Sequence, residues 1–216
     1  PACVQSCASD ASCRAIDGYK CEPAAKLCLP GPPPGNGNAN IGEADCAAAW
    51  GGDGSKLSRC DTVRDEYVVV RKSARNLALC SKGKHLVSYR AGLGFAPSGD
   101  KEKEGDGKTP EGVFYIPRVL PNSSYYKAFL LSYPDEADAA RGLSAGLITA
   151  SQKSAIEAAQ RECREPPQNT GLGGLIEIHG HGGSSDWTLG CVAIDNRQVD
   201  YLWSILGVGD TIVVLP

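Results

Sequence analysis

Residues Leu175–Asn196 read LIEIHGHGGSSDWTLGCVAIDN and carry the clearest structural signal in the chain. An apolar run rich in isoleucine ends at His179, a loop of glycine and serine follows, and Gly190-Cys191 leads back into apolar sequence. The run has the length and composition of a strand, whereas glycine and serine are typical of loops. The stretch therefore predicts a buried strand, an open loop and a return to the core, with a histidine and a cysteine on either side of the loop.

This pattern suits nucleophilic catalysis. A glycine before a nucleophile lets the backbone turn tightly and brings N–H groups close to a carbonyl oxygen. A histidine 12 positions before the cysteine can return across the loop and hydrogen-bond the thiol. We therefore predict Cys191 as the nucleophile, His179 as its base and Gly190 as part of the turn that holds them. The alternative is structural, with Cys191 in a disulfide and His179 as a hydrogen-bonded residue at a strand end.

The cysteine count bears on these alternatives. The chain has ten cysteines, and five of them lie within the first 28 residues. A free Cys191 would leave nine, so either one more cysteine is unpaired or a partner lies upstream of Pro1. Because Cys191 follows a glycine in apolar sequence, far from the cysteine-rich front, we expect it to carry a free thiol.

A metal site is the other reading of the histidine pair. Residues i and i+2 of a strand share a face, so His179 and His181 could both reach one zinc ion. Zinc needs further ligands, and the remaining candidates are His85, Asp186 or Asp195, none at a recognisable spacing. We therefore expect neither a metal nor another cofactor.

Two motifs together resemble a known family. Ile178-His179-Gly180 and Gly190-Cys191-Val192 resemble the histidine and cysteine signatures of the YkuD-type L,D-transpeptidase catalytic domain. Upstream, Asp106–Phe114 reads DGKTPEGVF and is similar to the Lys/Thr-Pro/Gly-aromatic region of that family. The resemblance covers Asp65 to Pro216 and implies a YkuD-like β-sandwich or barrel.

The resemblance also implies a reaction and a substrate. It implies acyl transfer through a thioester on Cys191, with peptidoglycan stem peptides as donors and His179 moving the proton. Backbone N–H groups around Gly190-Cys191 are the expected oxyanion hole, and a backbone carbonyl within residues 180–183 is expected to orient the imidazole. An amine acceptor would give a cross-link, and water would give carboxypeptidase or endopeptidase action.

The chain departs from the family pattern near the nucleophile. Leu189 stands where many members have a second histidine, Ala193 stands in place of an arginine, and the loop is short. The short-loop branch is linked in some members to trimming or releasing cell-wall attachments. The missing groups leave a third reading open, a catalytically degenerate domain that binds the cell wall.

Five further residues are predicted to bind substrate, three of them in the loop between His179 and Cys191 and two in the aromatic pair that follows Pro121-Asn122. They are His181, Trp187, Thr188, Tyr125 and Tyr126. Each also has an ordinary structural reading, as a solvated loop residue, a packing anchor or a half-buried aromatic side chain.

The rest of the main segment predicts a mainly β domain with a few helices. Short β-rich runs separated by turn residues favour a sandwich or barrel over an alternating parallel-sheet fold. Strands are predicted at Tyr67–Arg71, Asn76–Cys80, His85–Arg90, Val113–Ile116, Leu175–Ile178 and Thr211–Leu215. Helices are predicted at Pro134–Arg141, at Ser151–Cys163 and from Asp195 or Asn196 to Leu206. The charged run Lys101–Glu104 is expected to be a solvated loop.

Composition divides the chain into four segments. Residues 1–28 form a cysteine-rich disulfide module, residues 29–42 a Pro/Gly/Asn linker, residues 43–64 a loop-rich approach, and residues 65–216 the catalytic domain. Zinc is the weaker reading of the front module because it contains no C-x2-C pair. Disulfides imply an oxidising compartment, so we expect an exported bacterial protein of the periplasm or cell envelope, here in a mature or trimmed form that begins at Pro1.

Charge and hydropathy exclude other classes. The net charge of −3 without a basic stripe predicts no nucleic-acid partner. No apolar run approaches the roughly 20 residues of a membrane-spanning helix. Gly107-Lys108-Thr109 lacks the earlier glycine of a phosphate-binding loop, because position 102 is a glutamate. The oligomeric state is left open.

Overall fold

The computed structural model describes residues 19–22, 27–63 and 65–216. Its strands are β1 (Tyr19–Glu22), β2 (Leu27–Pro30), β3 (Glu66–Arg71), β4 (Asn76–Ser81), β5 (Lys84–Arg90), β6 (Gly112–Tyr115), β7 (Arg118–Ser123), β8 (Tyr126–Leu130), β9 (Glu177–His179), β10 (Val192–Ala193) and β11 (Thr211–Leu215). Its helices are α1 (Ala39–Trp50), α2 (Glu136–Ser144), α3 (Ala150–Arg161) and α4 (Asn196–Trp203).

Five strands form what we call the main sheet, in the order β5-β4-β3-β11-β6. β3 and β11 pair in parallel, and the other neighbours are antiparallel. The sheet is covered on both faces, which explains the continuous apolar run in β3. One face joins the central core through Val68 and Val70, while Tyr67 and Val69 pack beneath α1.

Four short strands form what we call the site sheet, in the order β10-β9-β8-β7. β9 and β10 pair in parallel, and β7, β8 and β9 are antiparallel. The chain that leaves β5 joins the two sheets, because Gly92 bridges Ala193 and Gly94 bridges Thr188. The core between the sheets contains Phe129 and Ile178 from the site sheet and the inner face of the main sheet.

The mainly β class with a few helices is confirmed. The six predicted strands and three predicted helices are all present, with ends shifted by a few residues. β7, β8 and β10 were not predicted. β7 carries Pro121 and mostly polar residues, and β10 has only two residues, so neither has the pattern of an independent strand.

The segment before residue 65 differs from the expected linker and loops. α1 begins at Ala39, with the Asn38 side chain accepting a hydrogen bond from the Ile41 N–H, and continues to Trp50. Its buried positions are small, so the sequence lacks the apolar periodicity that identifies a surface helix. The Cys46–Cys80 disulfide joins α1 to β4. The rest of the predicted cysteine-rich module, apart from the paired strands β1 and β2, lies outside the described residues.

The supposed linker also packs against the domain. The Gly37 N–H donates to the Ser88 carbonyl oxygen of the edge strand β5 at 3.1 Å. A Cβ atom at Gly37 would lie 2.8 Å from the Tyr89 backbone, so only glycine fits this approach. An edge strand offers unpaired backbone groups, and the segment before α1 satisfies some of them.

Candidate active site

His179 and Cys191 come from neighbouring strands of the site sheet. His179 is the last residue of β9, and Cys191 directly precedes β10. In the parallel pair, Val192 lies opposite Ile178 and Ala193 lies opposite His179. Continued back by one residue, this register places Cys191 beside Glu177, so that Cys191 and His179 lie diagonally across the strand pair, and a hydrogen bond between them stays a prediction.

The His179 imidazole is held in one orientation by the backbone. Its Nδ1 lies 2.8 Å from the Gly180 carbonyl oxygen. Because a carbonyl can only accept, Nδ1 carries the proton and Nε2 is left as the basic nitrogen. This contact confirms the predicted orienting carbonyl within residues 180–183.

Aromatic side chains enclose the buried imidazole on two sides. Tyr125 stacks on the His179 ring with 4.6 Å between centroids, and Trp187 meets that ring edge-on at 5.6 Å. Burial lowers the pKa of His179, the Gly180 hydrogen bond opposes this effect, and His181 adds to it. The imidazole is therefore neutral at neutral pH and able to accept a proton.

The Cys191 thiol is in no disulfide, as expected. Its Sγ lies 3.4 Å from the Glu177 N–H, which donates to it, and 3.4 Å from the Leu175 carbonyl oxygen, to which the thiol donates. Desolvation raises the pKa of Cys191 to about 12. The hydrogen bond from the Glu177 N–H opposes this increase, and the charge of the Glu177 carboxylate adds to it. The resting sulfur is therefore a neutral thiol.

Glycine at position 190 is required by the turn into Cys191. Gly190 has φ of 135°, and a Cβ atom there would lie 2.7 Å from the Lys108 carbonyl oxygen. The Thr188 hydroxyl holds the same turn, because it accepts from the Gly190 N–H at 3.1 Å and donates to the Cys191 carbonyl oxygen at 2.8 Å. The Gly190 N–H is thus already engaged, which leaves the Cys191 N–H as the candidate oxyanion donor.

The predicted substrate residues divide into two groups. Tyr125 and Trp187 are partly exposed beside His179, and His181 is exposed with its ring edge toward Tyr125 at 6.0 Å. Thr188 is buried, and its hydroxyl bonds the turn of residues 188–191 instead of facing the surface beside His179. Tyr126 points away from His179, because its hydroxyl donates to the Asp200 carboxylate. Thr188 and Tyr126 therefore each have a structural partner, and substrate contact by either residue stays a prediction.

An ion pair that the sequence did not reveal anchors the loop between β9 and β10. The Arg75 guanidinium binds both oxygens of the Asp186 carboxylate, with nitrogen–oxygen distances between 2.8 and 3.0 Å. The same carboxylate accepts from the Leu93 N–H at 3.0 Å. These bonds fix Asp186, which precedes Trp187, to the turn between β3 and β4 that carries Arg75. A separation of 111 residues gives no sequence signal for such a pair.

The expected solvated loop at Lys101–Glu104 is partly buried. The Lys101 side chain is only 3% exposed and pairs with Asp106 at 2.8 Å. Burial by itself would raise the pKa of Asp106, but the Lys101 ion pair and three backbone N–H groups lower it to about 2. Lys101 also lies close enough to Cys191 to favour its thiolate. This loop is therefore ordered by the Lys101–Asp106 ion pair and lies beside the Cys191 thiol.

The described residues contain no group of three or more His, Cys, Asp or Glu side chains arranged for a metal ion. His181 lies beyond the end of β9 with φ of 73°, so it does not share a strand face with His179. Within the same part of the chain, no helix has the length and hydropathy needed to cross a bilayer.

Comparison with known proteins identifies the domain. Residues 65–214 match the YkuD family, described as the L,D-transpeptidase catalytic domain. The chain belongs to the YkuD family. YafK of Escherichia coli (strain K12), which is named as a candidate L,D-transpeptidase, is 35% identical over 82 residues, covering 35% of this chain and 33% of YafK. The chain therefore matches about a third of the length of that curated relative.

Solved structures with related architecture share little sequence with the YkuD chain. Bdellovibrio bacteriovorus Bd1075 is 21% identical, with a TM-score of 0.47 and coverage of 74% of this chain and 50% of that one. An L,D-transpeptidase from Xylanimonas cellulosilytica DSM 15894 is 13% identical, with a TM-score of 0.41 and coverage of 69% and 60%.

Proposed function

We propose that this protein is a cysteine-dependent acyltransferase that acts on peptidoglycan stem peptides through a thioester. The observation that supports the proposal is the parallel pairing of β9 with β10, in which an oriented His179 and a free Cys191 thiol belong to neighbouring strands, two positions apart in register. Membership of the L,D-transpeptidase family supplies the substrate class.

The first half-reaction starts from two neutral groups. The Cys191 thiol passes its proton to Nε2 of His179 as the sulfur attacks the carbonyl carbon of the donor peptide bond. The tetrahedral oxygen takes the negative charge and is stabilised by the Cys191 N–H. The C–N bond then breaks, the imidazolium protonates the leaving amine, and the acyl group remains on Sγ.

The second half-reaction releases the acyl group. An amine or a water molecule attacks the thioester carbonyl, His179 takes its proton, and the proton returns to Sγ as the C–S bond breaks. An amine acceptor gives transpeptidation, and water gives carboxypeptidase or endopeptidase action. Two disulfides in the described domain support an exported protein of the bacterial periplasm or cell envelope.

Mass spectrometry of the products tests the proposal. The protein and a Cys191→Ala variant are each incubated with purified disaccharide stem tetrapeptides. We expect a covalent adduct on Cys191, and either peptide dimers that lack one terminal residue or shortened peptides, with all three absent from the variant. Products of equal yield with Cys191→Ala, or no adduct and no products with any stem peptide, would overturn the proposal.

A second candidate is a degenerate domain that binds the wall without turnover. The raised pKa of Cys191 favours it, because a thiolate is the reactive form of cysteine. Slow alkylation of the resting thiol at neutral pH fits both candidates, since the proton transfer to His179 occurs only with bound substrate. Binding of stem peptides without any Cys191-dependent product would establish the second candidate.

A further inference from the structure

Leu175 lies two residues before β9 and has an unusual backbone conformation beside the nucleophile. Its φ of 53° is in the left-handed region, which leucine rarely adopts. The side chain is 55% exposed, so side-chain packing gives little reason for this conformation. Backbone strain of this kind persists only where the surrounding structure imposes it, and it clusters at functional sites.

The Gln168 side chain holds Leu175 in this conformation. Its Oε1 accepts from the Leu175 N–H at 2.7 Å. Its Nε2 donates to the carbonyl oxygens of Tyr133 at 3.1 Å and Pro166 at 2.7 Å. Because both ends of the amide are bonded, the side chain cannot rotate without breaking hydrogen bonds. The Leu175 N–H is thus fixed in direction by a side chain that is itself fixed.

The same conformation directs a backbone carbonyl at the thiol. The Cys191 Sγ lies 3.4 Å from the Leu175 carbonyl oxygen, and because a carbonyl can only accept, the thiol donates. The register of β9 and β10, continued back by one residue, places Cys191 beside Glu177. Leu175 lies two residues before Glu177 in the chain, and His179 lies two residues after it. The thiol hydrogen is therefore directed toward Leu175 and away from the imidazole.

Several groups act on the protonation of this thiol. Burial has the largest effect and raises the pKa of Cys191, the Glu177 carboxylate also raises it, and the Glu177 N–H and the Lys101 ammonium lower it. His179 is the other titratable group on the outward face of β9, and it is neutral. A hydrogen bond donated by the thiol stabilises the protonated form, so the Leu175 carbonyl acts in the same direction as burial. A neutral thiol oxidises slowly, which suits a free cysteine in a domain whose described residues include two disulfides.

We propose that Gln168 is a positioning residue for the nucleophile: it holds Leu175 in the left-handed conformation whose carbonyl binds the Cys191 hydrogen and keeps the resting thiol protonated until a donor binds. The inference rests on the proposed thioester chemistry, in which the same hydrogen moves to Nε2 of His179. When the donor binds, the hydrogen bond to the Leu175 carbonyl breaks and the proton passes to Nε2 as the C–S bond forms.

Alkylation of Cys191 by iodoacetamide between pH 7 and 10, followed by peptide mass spectrometry, tests the inference because the thiolate is the reactive form. Gln168→Ala removes the acceptor of the Leu175 N–H and frees the strained backbone to turn its carbonyl away from Sγ. We expect the apparent pKa of the thiol to fall by about one unit and the alkylation rate below that pKa to rise about tenfold.

Gln160→Ala is the matched control for the loss of an amide that bonds two backbone carbonyls. The Gln160 Nε2 donates to the carbonyl oxygens of Ser132 and Pro134, and its replacement should leave the alkylation rate unchanged. A rise as large as that in Gln168→Ala would show that general loosening of the fold exposes the thiol, and would overturn the inference.

Two substitutions of Leu175 keep the test decisive if Gln168→Ala does not fold. Both change the same exposed side chain but have opposite backbone preferences. Leu175→Gly removes the steric cost of the left-handed conformation and should lower the alkylation rate about twofold. Leu175→Val, with a β-branched side chain, disfavours that conformation and should raise the rate about threefold. In Gln168→Ala/Leu175→Gly the rate should return toward that of the unaltered protein.

An unchanged pH profile in Gln168→Ala, or equal profiles in Leu175→Gly and Leu175→Val, would overturn the inference. Iodoacetamide needs no peptide substrate, so these outcomes are independent of turnover. Failure of the unaltered protein to form any stem-peptide adduct or product would overturn the proposed function, while the alkylation series would still decide whether Gln168 controls the thiol.

Discussion

The main sheet and the site sheet are held together by different means. The main sheet has regular strands of four to seven residues, buried side chains on both faces and α1 fastened to it by a disulfide. The site sheet ends in strands of three and two residues, and its loops depend on individual hydrogen bonds such as that of Thr188 to the Cys191 carbonyl oxygen.

The main sheet contributes mostly to the stability of the fold, whereas the site sheet carries the residues of the candidate site. Burial of apolar area stabilises the main sheet. A polar catalytic group without a hydrogen-bond partner would cost free energy in that interior. The site sheet contributes Phe129 and Ile178 to the same core, but its outward face carries His179 and Glu177. Substitutions in the two sheets should accordingly affect different measurements.

The largest expected effect is on turnover and belongs to the site sheet. His179→Ala removes the general base, and we expect the rate of thioester formation to fall about 10²–10⁴-fold. The fold should persist because β9 keeps its backbone pairing. Single-turnover measurement of the Cys191 adduct, with circular dichroism of the variant, provides the check.

His85→Ala is the matched control in the main sheet. His85 lies on β5, the edge strand of the main sheet, and is hydrogen-bonded to the Ser88 hydroxyl at 2.8 Å. Its replacement should leave adduct formation unchanged. Equal losses in the two histidine variants would show that His179 acts through the fold and would break the proposed division between the sheets.

A large loss of stability is expected from the main sheet. Leu77 of β4 is fully buried in the core between the sheets, so Leu77→Ala should lower the free energy of unfolding by about 2–5 kcal/mol. Turnover per folded molecule should be retained, because Leu77 lies on β4 of the main sheet, between Val70 and Tyr89, and not on the strands that carry His179 and Cys191. Urea unfolding together with active-site titration of Cys191 checks both statements. A selective loss of turnover in the folded variant would argue against the division.

The smallest expected effect is on both the stability of the fold and the rate of adduct formation. Thr188→Val keeps the shape of the side chain but removes the hydroxyl that bonds both sides of the nucleophile turn, and should cost about 1–3 kcal/mol of stability. Adduct formation should slow as well, because the turn positions Cys191. Thr62→Val, at an exposed residue, is the control and should change neither quantity. Normal adduct formation in Thr188→Val would mean that the turn keeps its geometry without the hydroxyl.

The predicted parts of the fold are those with a local signal. β3 and β4 have apolar runs of strand length, and α3 begins at a capping box in which Thr149 and Gln152 bond each other's backbone N–H groups. β7 and β8 lack such a signal, because they are strands only through pairing with each other and with β9. α1 was missed because a small-residue helix is stabilised by the surface on which it packs.

The sequence by itself determined the candidate residues of the site and their order along the chain. A histidine at a strand end, a glycine-rich loop and Gly190-Cys191 predict a base and a nucleophile, because the glycine permits a tight turn and a histidine can activate a thiol. The sequence predicted only that a backbone carbonyl within residues 180–183 orients the imidazole, and the structure identifies it as the carbonyl of Gly180.

Only the tertiary structure decided what surrounds that chemistry. The Arg75–Asp186 ion pair, the buried Lys101 and the hydrogen bond from Gly37 to Ser88 all involve segments outside residues 175–196. Tyr125 reaches His179 while the adjacent Tyr126 turns to Asp200, a choice that no local pattern encodes. Such contacts depend on packing and on hydrogen bonds between residues far apart in the chain, so they exist only once the two sheets have formed.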